Sequence, residues 1–223
     1  MASSMNKRRE RLFKVIVTGD VATGKSSIIK RYVHDVFSTH YKATIGVDFS
    51  LKALQWDDDM VVRLQLWDIA GQERFGNMTR VFYKEAVGGV VVYDMSRNQT
   101  LDSVRRWKKD IDEKVLMNDG RPIPCILIGN KSDLPASVSR PAAEMDALCQ
   151  ELGFVGWFET SAKNNSNIDT AMQTLVSRIL ERHADAAQGG VKSGNVVSLG
   201  SSGQSGQQGG AQNKQSQKKS GCC

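Results

Sequence analysis

Apolar residues fall along the chain in two alternating periods. Leu12–Thr18 (LFKVIVT) is rich in β-branched and aromatic side chains and predicts a strand. Lys25–Phe37 then places Ile28, Ile29, Tyr32, Val33 and Val36 at helical spacing. Val47–Trp56 and Val61–Trp67 predict two strands joined through Asp57-Asp58-Asp59, a hairpin signal. In the second, Val62, Leu64 and Leu66 alternate with Arg63 and Gln65, so one of its faces meets water. Gly88–Asp94 (GGVVVYD) and Cys125–Gly129 (CILIG) are unbroken apolar runs, the mark of parallel strands covered on both faces. A helix over roughly Leu101–Met117 separates them. Pro141 suits the first turn of a helix running to Leu152, and Phe154–Glu159 predicts a last short strand. Ile168, Ala171, Met172, Leu175, Val176, Ile179 and Leu180 form the buried stripe of a final helix. This alternation predicts an α/β fold with a mostly parallel sheet, whose ligand lies beyond the carboxyl ends of the strands.

Composition changes the picture at the two ends. The 223 residues are 40% hydrophobic and 24% charged, as in a soluble globular protein. The longest apolar run, around Val87–Tyr93, falls far short of the ~20 residues of a membrane-spanning helix. The net charge of +6 is concentrated in Lys7, Arg8, Arg9 and Arg11 and in the tail lysines, leaving the middle near neutral. A nucleic-acid binder concentrates basic charge on its folded body, so nucleic acid is not expected as a partner; an anionic membrane surface suits the distribution better. Residues 1–11 carry no apolar stretch after their basic cluster and are expected to be a flexible basic segment rather than a secretory signal. Ala2 follows Met1, which excludes N-myristoylation. From Ala186 onward Gly, Ser and Gln dominate with no aromatic, so 186–223 is expected to be a disordered tail and 12–185 the folded domain. The cysteines form neither a C-x-x-C pair nor a His/Cys cluster, so neither a zinc site nor a disulfide framework is expected.

Three segments carry chemistry. Gly19-Asp20-Val21-Ala22-Thr23-Gly24-Lys25-Ser26 matches G-x-x-x-x-G-K-[ST] between a strand and a helix. Its glycines let successive backbone N–H groups and the helix N-terminus face a phosphate, while Lys25 adds charge and the Ser26 hydroxyl can ligate Mg²⁺. Asn130-Lys131-Ser132-Asp133 follows CILIG. There a carboxylate can accept hydrogen bonds from the ring N–H and exocyclic amine of guanine, a pairing adenine cannot satisfy. Ser161-Ala162-Lys163, again after a strand, can bring the Ala162 N–H to the guanine oxygen. Asp68-Ile69-Ala70-Gly71-Gln72-Glu73 ends the strand RLQLW: Asp68 is placed to hold Mg²⁺ through water, the Gly71 N–H to meet a γ-phosphate, and Gln72 to orient water. With Thr44 these sense the terminal phosphate.

In order and spacing, GDVATGKS, ATIGVDF, WDIAGQERF, GNKSD and ETSAK resemble the Ras superfamily of small GTPases and, within it, the Rab family. The resemblance covers residues 12–183 and the terminal Cys222-Cys223. It implies a three-layer Ras-like P-loop fold with a six-stranded sheet, one antiparallel edge strand and helices on both faces. It implies GTP/GDP and Mg²⁺ as ligands, with Ser26, Thr44 and Asp68 around the metal and Gln72 and Lys25 as catalytic residues. Gly19 to Ser27, Phe37 stacking on the base, Tyr41 over the phosphates, Gly71, Asn130, Lys131, Asp133 and Ser161–Lys163 complete the nucleotide site. Ile45, Gly46, Val47, Asp48 and Phe49 and the segment 74–82 correspond to switch segments, and Phe49, Trp67 and Phe82 to an aromatic triad read by effectors. A -C-C terminus implies geranylgeranylation of Cys222 and Cys223. Partners then include an exchange factor, a GTPase-activating protein, an escort protein, a GDP-dissociation inhibitor and GTP-dependent effectors. WDIAGQERFGNMTRVFYKEA, with Ile69 where most Rabs have threonine, is similar to the branch serving lysosome-related organelles. The implied location is the cytoplasmic face of endosomal or lysosome-related membranes, or of Golgi-derived vesicles, in exchange with the cytosol.

One departure raises an alternative. Val21 stands where Ras-like proteins need glycine, and a β-branched side chain there crowds the γ-phosphate, the water and an arginine finger. Slow intrinsic hydrolysis is expected. The alternative function is an effector-binding module that stays loaded with GTP; a shifted loop that tolerates the valine is equally open. A nucleotide kinase is disfavoured by NKSD and the lack of a lid segment. An ADP-ribosylation-factor-like protein is disfavoured by Ala2 and the terminal cysteines.

Overall fold

A computed structural model describes residues 9–40, 42–71 and 79–189. Strands β1 (Arg9–Thr18), β2 (Val47–Asp57), β3 (Met60–Ile69), β4 (Gly88–Asp94), β5 (Cys125–Asn130) and β6 (Trp157–Glu159) form one sheet. Helices α1 (Lys25–His34), α2 (Thr79–Tyr83), α3 (Asn98–Asp102), α4 (Val104–Lys114), α5 (Ala142–Leu152) and α6 (Ile168–Gly189) are connected between them. The strand order is β2-β3-β1-β4-β5-β6. Only the hairpin pair β2–β3 is antiparallel, which puts the one reversed strand at an edge.

Strand alternation divides the interior into two layers. In β4, Val90 and Val92 face α1 and α6, packing with Ile28, Ala171, Leu175 and Ile179. Val91 and Tyr93 face the other way, toward Trp107 and Ile111 of α4 and Met145 and Cys149 of α5. Both faces being dry explains why β4 and β5 read as continuous apolar runs. The two strands approach closely where Gly129 faces Tyr93. A Cβ at Gly129 would lie 2.5 Å from the tyrosine hydroxyl.

Several boundaries differ from the expected ones. β1 begins at Arg9, inside the expected flexible segment, because Arg9, Glu10 and Arg11 pair with Met60, Val61 and Val62 of β3 and Glu10 meets Arg63. Backbone pairing does not require apolar side chains. α1 stops at His34: Asp35 turns left-handed (φ 55°), donates its N–H to Arg31 O and has its own carbonyl taken by the Arg31 guanidinium. That turn releases Val36 and Phe37 from the helix. The helix expected over 101–117 instead begins at Asn98, breaks at Ser103 and ends at Lys114, where Val115 becomes extended. Of 154–159 only Trp157–Glu159 pairs as strand. α6 continues past the composition change at Ala186 to Gly189. Tyr41, Gln72, most of the 74–82 segment, Cys222 and Cys223 lie outside the described residues.

Candidate functional site

The carboxyl ends of β1, β3, β5 and β6 open onto a cleft of about 540 Å³, within the range of small-molecule sites. The turn from β1 into α1 forms its floor. Gly24 sits at φ 96°, and a Cβ there would meet the Asn130 amide nitrogen at 2.2 Å. That close approach lets Asn130 Nδ2 donate to Thr23 O (2.9 Å) while its Oδ1 accepts from Ala162 N–H (3.3 Å). One buried asparagine thus ties together three separate loops.

Lys25 is buried and donates to Gly19 O and Asp20 O, each at 2.9 Å. Burial pulls its pKa down to about 8 against the attraction of Asp68 and Asp20, and Arg97 lowers it further. An ammonium carries three donors, so one remains for an anion in the cleft. Val21, Ala22, Ser26 and Ser27 also line the cleft. Gly19, Asp20, Thr23 and Ser161 do not; they brace it from behind. The Asp20 carboxylate turns away to accept from Trp107 Nε1 (2.8 Å) and Arg106 (3.2 Å) of α4.

Beside Lys25, three oxygens converge. Ser26 Oγ donates to Asp68 Oδ2 at 2.5 Å, Thr44 Oγ1 donates to the same atom at 3.2 Å, and the two hydroxyls are 2.9 Å apart. Asp68 Oδ1 is buried with no partner. Burial raises the Asp68 pKa, against the lowering effects of Ser26, Lys25 and Thr44. A carboxylate with an orphaned oxygen beside two hydroxyls fits a small hard cation that completes its shell with water and phosphate, as Mg²⁺ does. Among the described residues no group of three or more His, Cys, Asp or Glu offers a competing metal centre.

The opposite wall is formed by the β5–α5 and β6–α6 loops. Asp133, nearly buried, accepts from Ser161 Oγ at 2.5 Å and lies 4.0 Å from Lys163 Nζ. Ser161 Oγ in turn accepts the Asn164 N–H (3.0 Å). Arg31 reaches across from α1 to donate to Ala162 O (2.9 Å) and Lys163 O (3.2 Å). Phe37, Lys131, Asp133, Ala162 and Lys163 all line this end of the cleft, and Leu134 joins them without having been legible in a motif.

Thr44 and Gly71 close the remaining side. A Cβ on Gly71 would lie 2.5 Å from Val21 N and 2.6 Å from Gly19 O, so only glycine fits against the phosphate loop. Gly46 O accepts the Ala70 N–H, and Val47 and Asp48 pair with Ile69 and Asp68. Outside the cleft, Ile45 is 89% and Phe49 62% exposed. The Phe49 ring stacks on Trp67 (6.1 Å between centroids), Lys14 Nζ sits 3.6 Å from the Trp67 ring, and Phe82 is half-buried.

A doubly covered parallel sheet with a phosphate-cradling turn after β1 defines a P-loop nucleotide-binding protein. The Ras family model matches residues 14–181. The chain is 58% identical over 182 residues to human Ras-related protein Rab-32, covering 82% of this chain and 81% of the relative. It is 53% identical over 192 residues to Rab-32A of Dictyostelium discoideum (84% and 88% covered) and 48% over 192 residues to rat Rab-7L1 (86% and 93%). The chain therefore belongs to the Ras family of small GTPases, in its Rab branch. As such it binds GTP and GDP with Mg²⁺, hydrolyses GTP, works with regulators and effectors, and regulates traffic at intracellular membranes. The relatives support the hydrolysing switch and lend nothing to a permanently loaded module.

Proposed function

We propose that this GTPase reads its nucleotide with three groups of residues and reports the terminal phosphate on one face. The observation that carries the proposal is the sharing of Asp68 Oδ2 by the Ser26 and Thr44 hydroxyls, with Oδ1 left unpaired. Ser26, Thr44 and Asp68 are the residues that would hold Mg²⁺, which would neutralise phosphate charge when bound. Lys25 and the N–H groups of residues 21–26 hold the phosphates. Asp133 accepts from the guanine edge, Ala162 N–H meets its oxygen, Phe37 stacks on the ring, and Lys131 lies along base and sugar. Tyr41 closes over the phosphates, Gln72 orients the attacking water, and Gly71 N–H meets the γ-phosphate. Thr44 and Gly71 lie on segments continuous with Ile45–Phe49 and the exposed Phe49–Trp67 stack. Drawing them inward orders the effector face formed with Phe82.

The remaining assignments concern place and partners. The segment after α6 serves as a tether, Cys222 and Cys223 carry geranylgeranyl groups, and two chains give the lasting anchorage one does not. An escort protein and a GDP-dissociation inhibitor handle those lipids, while an exchange factor and a GTPase-activating protein drive the cycle. Endosomal or lysosome-related membranes are the proposed site of action. Titration calorimetry of the nucleotide-stripped protein tests the core of this reading. We expect guanosine diphosphate to bind with a strong Mg²⁺ dependence and adenosine diphosphate not to bind; equal affinity for the two bases refutes it. Mass spectrometry of membrane-bound protein checks the lipids, and unmodified terminal cysteines refute that part.

A further inference from the structure

A charge cluster beside the cleft joins Lys131 of the guanine motif to two residues that belong to no nucleotide motif, Asp94 and Arg97. Asp94, the last residue of β4, is buried with 1% of its side chain exposed. Its Oδ2 meets Lys131 Nζ at 2.7 Å and Arg97 Nε at 2.9 Å. Its Oδ1 accepts Ser96 N–H (3.0 Å) and Ser96 Oγ–H (2.7 Å). With both oxygens satisfied, the carboxylate is held in one orientation and its pKa lies below the ordinary value, burial being outweighed by Lys131 and Ser96. The other end of Arg97 donates from Nη2 to Val21 O at 3.0 Å.

That last bond has a geometric consequence. The Val21–Ala22 peptide is trans, so fixing the carbonyl fixes the Ala22 N–H in the opposite direction. Arg97 does not line the cleft, whereas Val21 and Ala22 do. With its carbonyl turned out toward Arg97, the peptide directs its N–H into the phosphate cradle. Ala22 also adopts φ 61°, a left-handed conformation that a non-glycine residue holds only when its surroundings enforce it. We propose that Asp94 and Arg97 are a positioning pair that locks the Val21–Ala22 peptide of the phosphate loop and the Lys131 ammonium of the guanine loop into one unit, slowing nucleotide release.

This proposal rests on the nucleotide-binding reading above. It is tested on the full chain loaded with methylanthraniloyl-GDP and Mg²⁺, chased with excess GDP. We expect Arg97→Ala to release nucleotide about tenfold faster, through the loss of its charge-assisted bond to the Val21 carbonyl. Asp94→Asn is expected to be faster still, and the double variant no faster than Asp94→Asn alone, because both act through one chain of contacts. Arg97→Lys keeps a charge beside Asp94 and is expected to recover the melting temperature but not the release rate. The ³¹P spectrum of bound Mg–GDP should shift in Arg97→Ala and stay fixed in Arg105→Ala, whose guanidinium pairs with Glu151 on the surface. A wild-type release rate and spectrum in Arg97→Ala overturn the proposal, as do fully multiplicative effects of the two substitutions. If Asp94→Asn fails to fold, the Arg97 series decides. Failure of the wild-type protein to bind the fluorescent nucleotide instead sinks the underlying reading.

Discussion

The two ends of the cleft are built differently. At the base end, Asn130 is 1% exposed and joined to Thr23 and Ala162, Asp133 is held by Ser161, and Arg31 staples the Ala162–Lys163 segment to α1. At the phosphate end, Thr44 depends on two neighbours at the ion site, and the next residue, Ile45, stands 89% exposed. Purine identity is the same in GTP and GDP, so the walls that read it gain from being fixed before the ligand arrives. The group that differs between the two nucleotides must instead meet something that can move. On the reading proposed above, the densely braced end recognises the base and the sparsely braced Thr44 segment signals the phosphate.

The most damaging way to break this division is at the rigid end. Asp133→Asn exchanges a charged acceptor for an amide, and GTP and GDP affinities should fall together by about a thousandfold, from the loss of two charge-assisted bonds. Calorimetry showing GTP alone weakened would contradict the division. Thr44→Ala should act on the pliable end, lowering affinity for Mg²⁺–GTP by about thirtyfold while GDP changes little. Equal losses for both nucleotides would show that Thr44 is part of the fixed frame. Val21→Gly should speed single-turnover hydrolysis several-fold without altering GDP affinity, and an unchanged rate would mean that the loop accommodates the valine. The smallest effect probes rigidity itself. Cys125, at the start of the strand that delivers Asn130, has its thiol pushed up to about 12 by burial. Cys125 in the folded protein should therefore resist thiol reagents at mildly alkaline pH, read by peptide mapping of the labelled chain. Because the folded thiol holds its proton more tightly than the unfolded one, its contribution to stability is full below an ordinary thiol pKa of about 9 and is lost as pH rises toward 12. Denaturant midpoints across that range check the sign.

Much of this was legible in the sequence, for a physical reason. Gly19–Ser26 and Asn130–Asp133 each gather their cleft-lining residues within a few positions, so residue type follows a short, fixed spacing. The strands β4 and β5 were equally plain, because burial on both faces leaves no room for polar positions. What escaped was long-range bracing. Arg97 reaches Val21 across 76 residues, Trp107 reaches Asp20 across 87, and Arg31 reaches Ala162 across 131. No local pattern announces such contacts, since an arginine reads as surface and a tryptophan on a helix as core. Asp20 shows the cost: the motif placed it with the ligand, but its carboxylate serves α4. The early end of α1 was hidden similarly, for it depends on the left-handed Asp35 and on Arg31 reaching back to its carbonyl.

The contact between Gly129 and Tyr93 restricts how this chain can change over time. The phenol occupies the space that any side chain at 129 would need. A larger residue there would wedge two neighbouring strands apart and carry Asn130 out of place. A side chain at 129 therefore requires the Tyr93 phenol to move or shrink. That partner adjoins Asp94 and Gly129 adjoins Asn130, so mutational drift in the middle of the sheet is coupled to the edge of the cleft.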